Sequence, residues 1–233
     1  MARAKDIAPT TYAALKTKHR RVREQPGFPQ RTTMRVHRAL SWVQRAEQEL
    51  GPDCEDDPDA AFLFYWIAFN ATYALPTSAD DSLSERSLFE RFFVRVLSRD
   101  QSAALYNALW AKYSGPIRTL LANQFVYQPF WNHQRGIPGH ANWQEKFQRA
   151  NRRAWQAMRE QRTDKFLSIL FSRLYVLRNQ LVHGGATWQG SRNRAQVRDG
   201  ALILGLVVPR LIDLMMDHPE LDWGDPAFPV VDG

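Results

Sequence analysis

The segment from Thr163 to Gly185 constrains the fold of this chain most strongly, because it reads as one long amphipathic helix. Its large apolar residues recur at three- and four-residue spacing, namely Phe166, Leu167, Leu170, Leu174, Leu177 and Leu181. That spacing places them on one face of a helix, and such a face needs a partner surface to bury it. The Thr163-Asp164 pair predicts where the helix begins, and the two glycines after His183 predict where it ends.

Three other segments show helical periodicity and are predicted to complete a core of four helices. With the first they cover residues 32–50, 58–75, 163–183 and 195–217. The second, 58–75, is apolar nearly all round, which predicts a central buried helix. Asp57 should be its N-cap, with Pro58 in the first helical position. No strand pattern is long enough to indicate a sheet, so the predicted fold class is an all-α bundle.

The region 76–161 carries more helix than a minimal four-helix domain needs, and we interpret it as a helical insertion. It lies within a single predicted domain, 31–217, that is preceded by a basic arm over 1–30 and followed by a tail over 218–233. The arm fits either contact with phosphates or a short, solvated leading helix. Within the insertion, the loop 128–142 mixes aromatic and basic residues, which suits either stacking on unpaired bases or anchoring of the loop to the body.

Composition favours a polyanionic partner. The chain carries a formal charge of +7, most of it from arginine, and its pI is about 9.8. Arginine forms bidentate hydrogen bonds with phosphate and stacks on bases, so nucleic acid, and above all RNA, is favoured over a membrane surface as the partner. The alternative is that the positive charge only keeps the protein soluble. The chain has a single cysteine, Cys54, which predicts a reducing cytoplasmic compartment. It has no apolar run of roughly 20 residues, which predicts a soluble protein without a membrane segment.

The last turns of the focal helix carry polar side chains of a different kind, Arg178, Asn179 and His183. Asn179 and His183 are four residues apart and share a face. Arg178 and His183 are five apart and diverge by about 140° on a regular helix. Both reach one cleft only if the final turn distorts or the arginine side chain swings round. The alternative is that Arg178 pairs with a carboxylate and His183 caps carbonyl groups.

The string from Arg178 to His183 resembles the Arg-(four to six residues)-His motif of the HEPN superfamily of small helical domains. The helix around Phe64–Ala74 also resembles HEPN-type sequences. The resemblance covers the four core helices and implies a bundle that pairs into a homodimer, with Arg178, His183 and Asn179 as catalytic residues. Many such domains are metal-independent ribonucleases. Gly185 stands where HEPN toxins with a nucleotidyltransferase partner carry a tyrosine, so an antitoxin that modifies this tyrosine is not expected.

We therefore expect a metal-independent endoribonuclease that cleaves RNA by attack of the 2′-hydroxyl group at a site composed from two copies. The alternatives are a non-catalytic RNA-binding or protein-interaction module, and a component of a toxin or defence system with a protein partner or antitoxin. Asn70 is expected to support the site. No metal or cofactor is expected, because His133 and His140 have no cysteine nearby and poor zinc spacing. Four arginines near the focal helix are expected to bind nucleic acid: Arg173, Arg192, Arg194 and Arg198.

Overall fold

A computed structural model describes residues 10–51, 55–76, 85–100, 103–191 and 193–228. These residues form nine α-helices and one short 3-10 helix, and they include no β-strand, which confirms the all-α prediction. The α-helices are α1 (Tyr12–Arg23), α2 (Gln30–Gln48), α3 (Pro58–Tyr73), α4 (Glu85–Leu97), α5 (Ala104–Ala122), α6 (Gln128–Gln134), α7 (Trp143–Arg159), α8 (Thr163–Val182) and α9 (Arg194–Asp217). No helix in the described ranges is long and apolar enough to cross a membrane.

Helix α3 lies at the centre of the bundle and packs against α2 and α9. Gly200 of α9 lies so close to Phe62 that a Cβ atom there would be 2.7 Å from the ring. The absence of a side chain at this position therefore allows the two helices to approach closely. The start of α3 is as predicted, because the Asp57 carboxylate accepts hydrogen bonds from Asp59 N and Ala60 N, both at 3.0 Å.

Helix α8 packs mainly against α4, α7 and α5, all of which belong to the predicted insertion. Phe171 of α8 contacts Phe69 of α3 and Phe93 of α4, with ring centroids 4.7 and 4.9 Å away. The insertion also supplies fully buried side chains such as Leu105 and Ile117. The described part of the segment 76–161 therefore contributes to the hydrophobic core, and α4 completes the surface that the apolar face of α8 requires.

The start of α2 differs from the predicted one, and α5 is kinked. Helix α2 begins at Gln30 after Pro29, and Thr32 is buried inside it and does not cap it. Helix α5 is kinked at Tyr113, which has φ −123° and ψ 18°. Pro116 has no N–H group and its ring crowds the preceding turn, which bends the helix without ending it.

The two ends of the described chain pack onto the bundle. Helix α1 buries Leu15 and Val22, and Lys18 Nζ forms salt bridges with Asp213 at 2.6 Å and Asp217 at 2.7 Å. The tail is held by Arg35 of α2, which is 1% exposed. Its guanidinium donates to five backbone carbonyl oxygens, those of Ala71, Thr72, Ala74, Gly224 and Asp225. Arg35 thus fastens the tail to the end of α3.

Candidate functional site

The end of α8 presents His183 to solvent. The helix ends at Val182, and His183 is its C-cap, with its backbone N–H donating to Asn179 O at 3.0 Å. Gly184 follows in the left-handed region at φ +68°, where a residue with a side chain would be strained. The chain therefore turns away directly after His183 and leaves its imidazole exposed.

His183 and Asn179 lie on one wall of an open groove of about 790 Å³. The facing wall comes from the insertion and contains Phe125, Trp131 and Arg135. The groove thus has two aromatic rings and a guanidinium on one wall and an imidazole and an amide on the other. Such a groove can accept bases by stacking and phosphate by charge. The first half of the predicted loop 128–142 is in fact helix α6, which contains Trp131 and is followed directly by Arg135. Both residues lie beside the predicted site.

Arg178 does not line this groove. Its Nη1 donates to Asn179 Oδ1 at 3.0 Å, and among the described residues it forms no salt bridge. The carboxylate partner of the alternative interpretation is therefore not found in the described chain. The arginine acts on the groove through Asn179, whose amide oxygen it engages, so that the amide nitrogen of Asn179 stays available as a donor.

Gln180 fixes the two walls relative to each other, a role that its sequence context did not indicate. Its Nε2 donates to Phe125 O at 2.6 Å, and its Oε1 accepts from Asn193 Nδ2 at 3.1 Å. Trp131 Nε1 donates to the same carbonyl of Phe125 at 2.7 Å. The aromatic wall is therefore joined to α8 through Phe125 O, which accepts from both Gln180 and Trp131. A glutamine on a helix surface gives no sequence signal for such a role.

Two of the predicted nucleic-acid-binding arginines form salt bridges at the start of α3. Arg194 pairs with Asp59 at 2.8 Å, and Arg198 pairs with Asp56 at 3.1 Å. These interactions hold the start of α9 against Asp56 and Asp59 and offset the charge of both arginines. Arg192 lies outside the described residues. Contact of Arg194 and Arg198 with RNA stays a prediction.

Residues 55–57 form a short acidic loop before α3, and the connection after α8 contacts this loop. Trp188 Nε1 donates to Asp57 Oδ2 at 2.9 Å. Burial by itself would raise the pKa of the Asp57 carboxyl. The pKa is nevertheless lowered, because hydrogen bonds from Ala60, Trp188 and Asp59 and the charge of Arg194 stabilise the carboxylate. The loop thus caps a helix, and the described residues contain no cluster of three or more potential metal ligands.

The remaining predicted residues lie apart from the groove. Arg173 is only 2% exposed and lines a different pocket, between α7 and α8. Asn70 is not among the residues that line the groove, and within the described chain its Oδ1 is buried without a hydrogen-bond partner. A supporting role for Asn70 stays a prediction.

Comparisons with known proteins give no identification, because no protein-family model, no curated protein and no solved structure matches this chain. The chemistry of the groove therefore has to be inferred from its own side chains and their geometry.

Proposed function

We propose that this protein is a metal-independent endoribonuclease and that His183 acts at the site of cleavage. One observation carries the proposal, namely the exposed imidazole of His183 one turn after Asn179 on the wall of a groove with an aromatic and basic opposite wall. The HEPN resemblance of the same residues supports it. RNA is the ligand class that uses both kinds of wall, because its unpaired bases stack and its phosphates attract cations.

The chemistry follows from these side chains. A base removes the proton of a ribose 2′-hydroxyl, the 2′-oxygen attacks the adjacent phosphorus, and the bond from phosphorus to the 5′-oxygen breaks. An acid protonates the departing 5′-oxygen, so that a 2′,3′-cyclic phosphate and a 5′-hydroxyl result. His183 suits the acid or base role, Asn179 can donate to a phosphoryl oxygen, and Arg135 supplies positive charge in the groove.

The need for both an acid and a base favours a homodimer. His183 is the only imidazole among the described residues that line the groove, whereas the reaction needs two proton-transfer groups. A second copy would bring a second His183. Exposed apolar side chains near the groove offer a surface for this copy, because Phe125 is 45%, Val182 49% and Trp188 71% exposed.

A second candidate function is a module that binds RNA without cleaving it. The position of Arg178 favours this alternative, because the arginine contacts Asn179 and does not line the groove. In a nuclease, the arginine that stabilises the phosphorane must come close to the phosphate, so Arg178 would have to move into the groove. A protein that only binds RNA needs no such movement.

Cleavage of labelled single-stranded RNA in the presence of EDTA tests the proposal. His183→Ala should lower the cleavage rate by about 10²–10⁴-fold while the helical content and RNA affinity stay unchanged. The matched control is His37→Ala, which removes an exposed histidine of α2 that does not line the groove. The products should carry a 2′,3′-cyclic phosphate, and a DNA strand of the same sequence should stay intact because it has no 2′-hydroxyl group.

Full activity of the His183→Ala protein, or activity that disappears with EDTA, would contradict this mechanism. RNA binding without cleavage by the wild-type protein would select the binding module. Light scattering at micromolar concentration tests the homodimer, and a monomer that cleaves RNA at the full rate would exclude a site shared between two copies.

A further inference from the structure

A second, smaller pocket lies between α7 and α8 and is lined by cations. Its volume is about 280 Å³, which is at the lower end of the range for pockets that enclose whole small molecules. Lys146, Arg149 and Arg153 of α7 line one side, and Arg173 of α8 lines the other. We call it the basic pocket. No acidic residue is among the described residues that line it.

The cations of α7 are placed together by their spacing. Lys146, Arg149 and Arg153 are three and four residues apart, so they project from one face of the helix. Within the described part of the chain Arg149 and Arg153 form no salt bridge, and Lys146 Nζ donates to Gly139 O at 2.8 Å. Like charges held side by side repel one another, and a bound anion removes this cost.

Arg173 is held rigidly at the base of the basic pocket. Its Cζ lies 4.2 Å from the centroid of the Tyr127 ring and 4.9 Å from that of Phe147. Its Nη2 donates to Asn151 Oδ1 at 3.0 Å. Stacking on two rings stabilises a cation that would otherwise be costly to bury. The pocket therefore combines one fixed buried cation with two exposed arginines at its mouth.

The basic pocket and the groove lie on one continuous face of α8. Ser172 and Arg173 line the pocket, and Val176, Asn179 and His183 line the groove at the next helical turns. Gln128 lines both. Arg173 and His183 are ten positions apart, which corresponds to about 15 Å along the helix axis. A ligand that occupies both must carry an anion at a distance of this order from the part that enters the groove.

We propose that the basic pocket is a phosphate-binding site that holds one backbone phosphate of a single-stranded nucleic acid whose neighbouring nucleotides lie in the groove. The identification of the strand as RNA rests on the proposed function, whereas phosphate binding follows from the pocket itself. A backbone phosphate fits a small basic cavity, and the strand continues along α8 toward His183. The pocket thus determines where along a strand the groove is placed.

The test compares two double variants of α7. Arg149→Ala with Arg153→Ala removes both exposed cations of the pocket, and Arg152→Ala with Arg159→Ala is the matched control, since it removes two exposed arginines of the same helix that do not line the pocket. Binding of a short 2′-O-methyl RNA is followed by fluorescence anisotropy. This strand cannot be cleaved by 2′-hydroxyl attack, so binding is measured whether or not the protein is a nuclease.

The pocket variant should bind about tenfold more weakly than the control, as expected when charged hydrogen bonds to a phosphate are removed. Its log–log salt slope should fall by about 0.7 because one phosphate is no longer neutralised, and the slope of the control should fall by less. Millimolar inorganic phosphate at constant ionic strength should weaken RNA binding by the wild-type protein and leave the pocket variant unaffected. Circular dichroism must show both variants folded, which is expected because alanine favours helix.

Equally weakened binding in the two variants would overturn the proposal, because the effect would then be one of net charge. Unchanged RNA affinity in the pocket variant would overturn the assignment of the pocket to a strand, whether or not inorganic phosphate still weakens RNA binding. Pocket-dependent RNA binding by a protein that cleaves no RNA would support the pocket and reject the nuclease, so the two proposals fail separately.

Discussion

Two buried arginines, Arg35 and Arg173, have similar exposure and different surroundings. Arg35 directs its donors to five backbone carbonyl oxygens where the tail meets the end of α3. Arg173 lies against the rings of Tyr127 and Phe147, which also contact each other, and lines the basic pocket. A cation whose donors are used up by carbonyl groups serves stability, whereas a cation that lines a positively charged cavity can also serve binding.

The charge of Arg35 is kept in spite of its burial. Burial lowers the pKa of the Arg35 guanidinium to about 10, and the neighbouring Asp225 acts in the opposite direction. The group is therefore protonated at neutral pH, as its carbonyl acceptors require. Because five acceptors depend on one side chain, the loss of this side chain affects the tail and α3 together.

The largest expected effect comes from Arg35→Met. The substitution removes the side-chain donor of five carbonyl oxygens that are buried or partly buried, so the free energy of unfolding should fall by about 3–5 kcal/mol in urea titrations. Arg35→Lys should recover only part of this stability, because an ammonium has three donors for five acceptors. The control Arg38→Met changes a neighbouring arginine of α2 that donates to Phe228 O and should cost less than about 1 kcal/mol. Equal destabilisation at the two positions would refute the structural role of Arg35.

Arg173→Met should destabilise the protein less, by about 2 kcal/mol, because it removes two cation–π interactions and one hydrogen bond. Unlike Arg35→Met, it should also weaken binding of single-stranded RNA, and Arg173→Lys should restore part of this binding because it keeps the charge. Urea unfolding and anisotropy measure the two effects on the same samples. A destabilised variant with unchanged RNA affinity would make Arg173 equivalent to Arg35.

The salt bridges of Arg194 and Arg198 allow the stabilisation by a pair with a buried carboxylate to be compared with that by an exposed pair. Asp59→Ala removes the acceptor of Arg194 Nη1 and of Gln189 N, both at 2.8 Å, and should cost about 2 kcal/mol. Asp56→Ala removes the exposed partner of Arg198 and should cost about 0.5 kcal/mol. Thermal or urea unfolding compares the two variants. A larger destabilisation by Asp56→Ala would show that burial does not determine the strength of these pairs.

The smallest expected effect concerns His19, a buried base that is neutral where the two arginines are charged. Burial lowers the pKa of His19, and the charges of Arg23, His37 and Lys16 act in the same direction. The unfolded state binds a proton at about pH 6.5, so the contribution of His19 to stability is complete above this pH and decreases as the pH falls below it. In urea titrations between neutral and mildly acidic pH, His19→Leu should remove this part of the acid sensitivity. An unchanged pH dependence in the variant would exclude His19 as its source.

Much of the fold could be predicted because helix signals are local. The periodicity of α8 and the cap at Asp57 depend on residues within about four positions of each other, the range of helical hydrogen bonds. The start of α2 could not be predicted in this way, because Thr32 is an ordinary capping residue in the sequence and is buried by packing in the fold. For the candidate site, spacing predicted that Asn179 and His183 share a face, and the loop 128–142 was interpreted as suited either to stacking on bases or to anchoring. Nothing in the sequence indicated that Phe125, Trp131 and Arg135 would face His183 across one groove.

The sequence by itself determined an all-helical chain, a buried α3 and a polar end of α8 with His183 just before a glycine turn. Only the tertiary structure decided which arginines are paired, because Arg194 and Asp59 are 135 residues apart and meet only when α9 packs against α3. It also brought the insertion into the core and placed the basic pocket and the groove on one face of α8. The physical reason is that helix formation depends on neighbours along the chain, whereas charge pairing and cavities depend on surfaces that meet after the helices have packed.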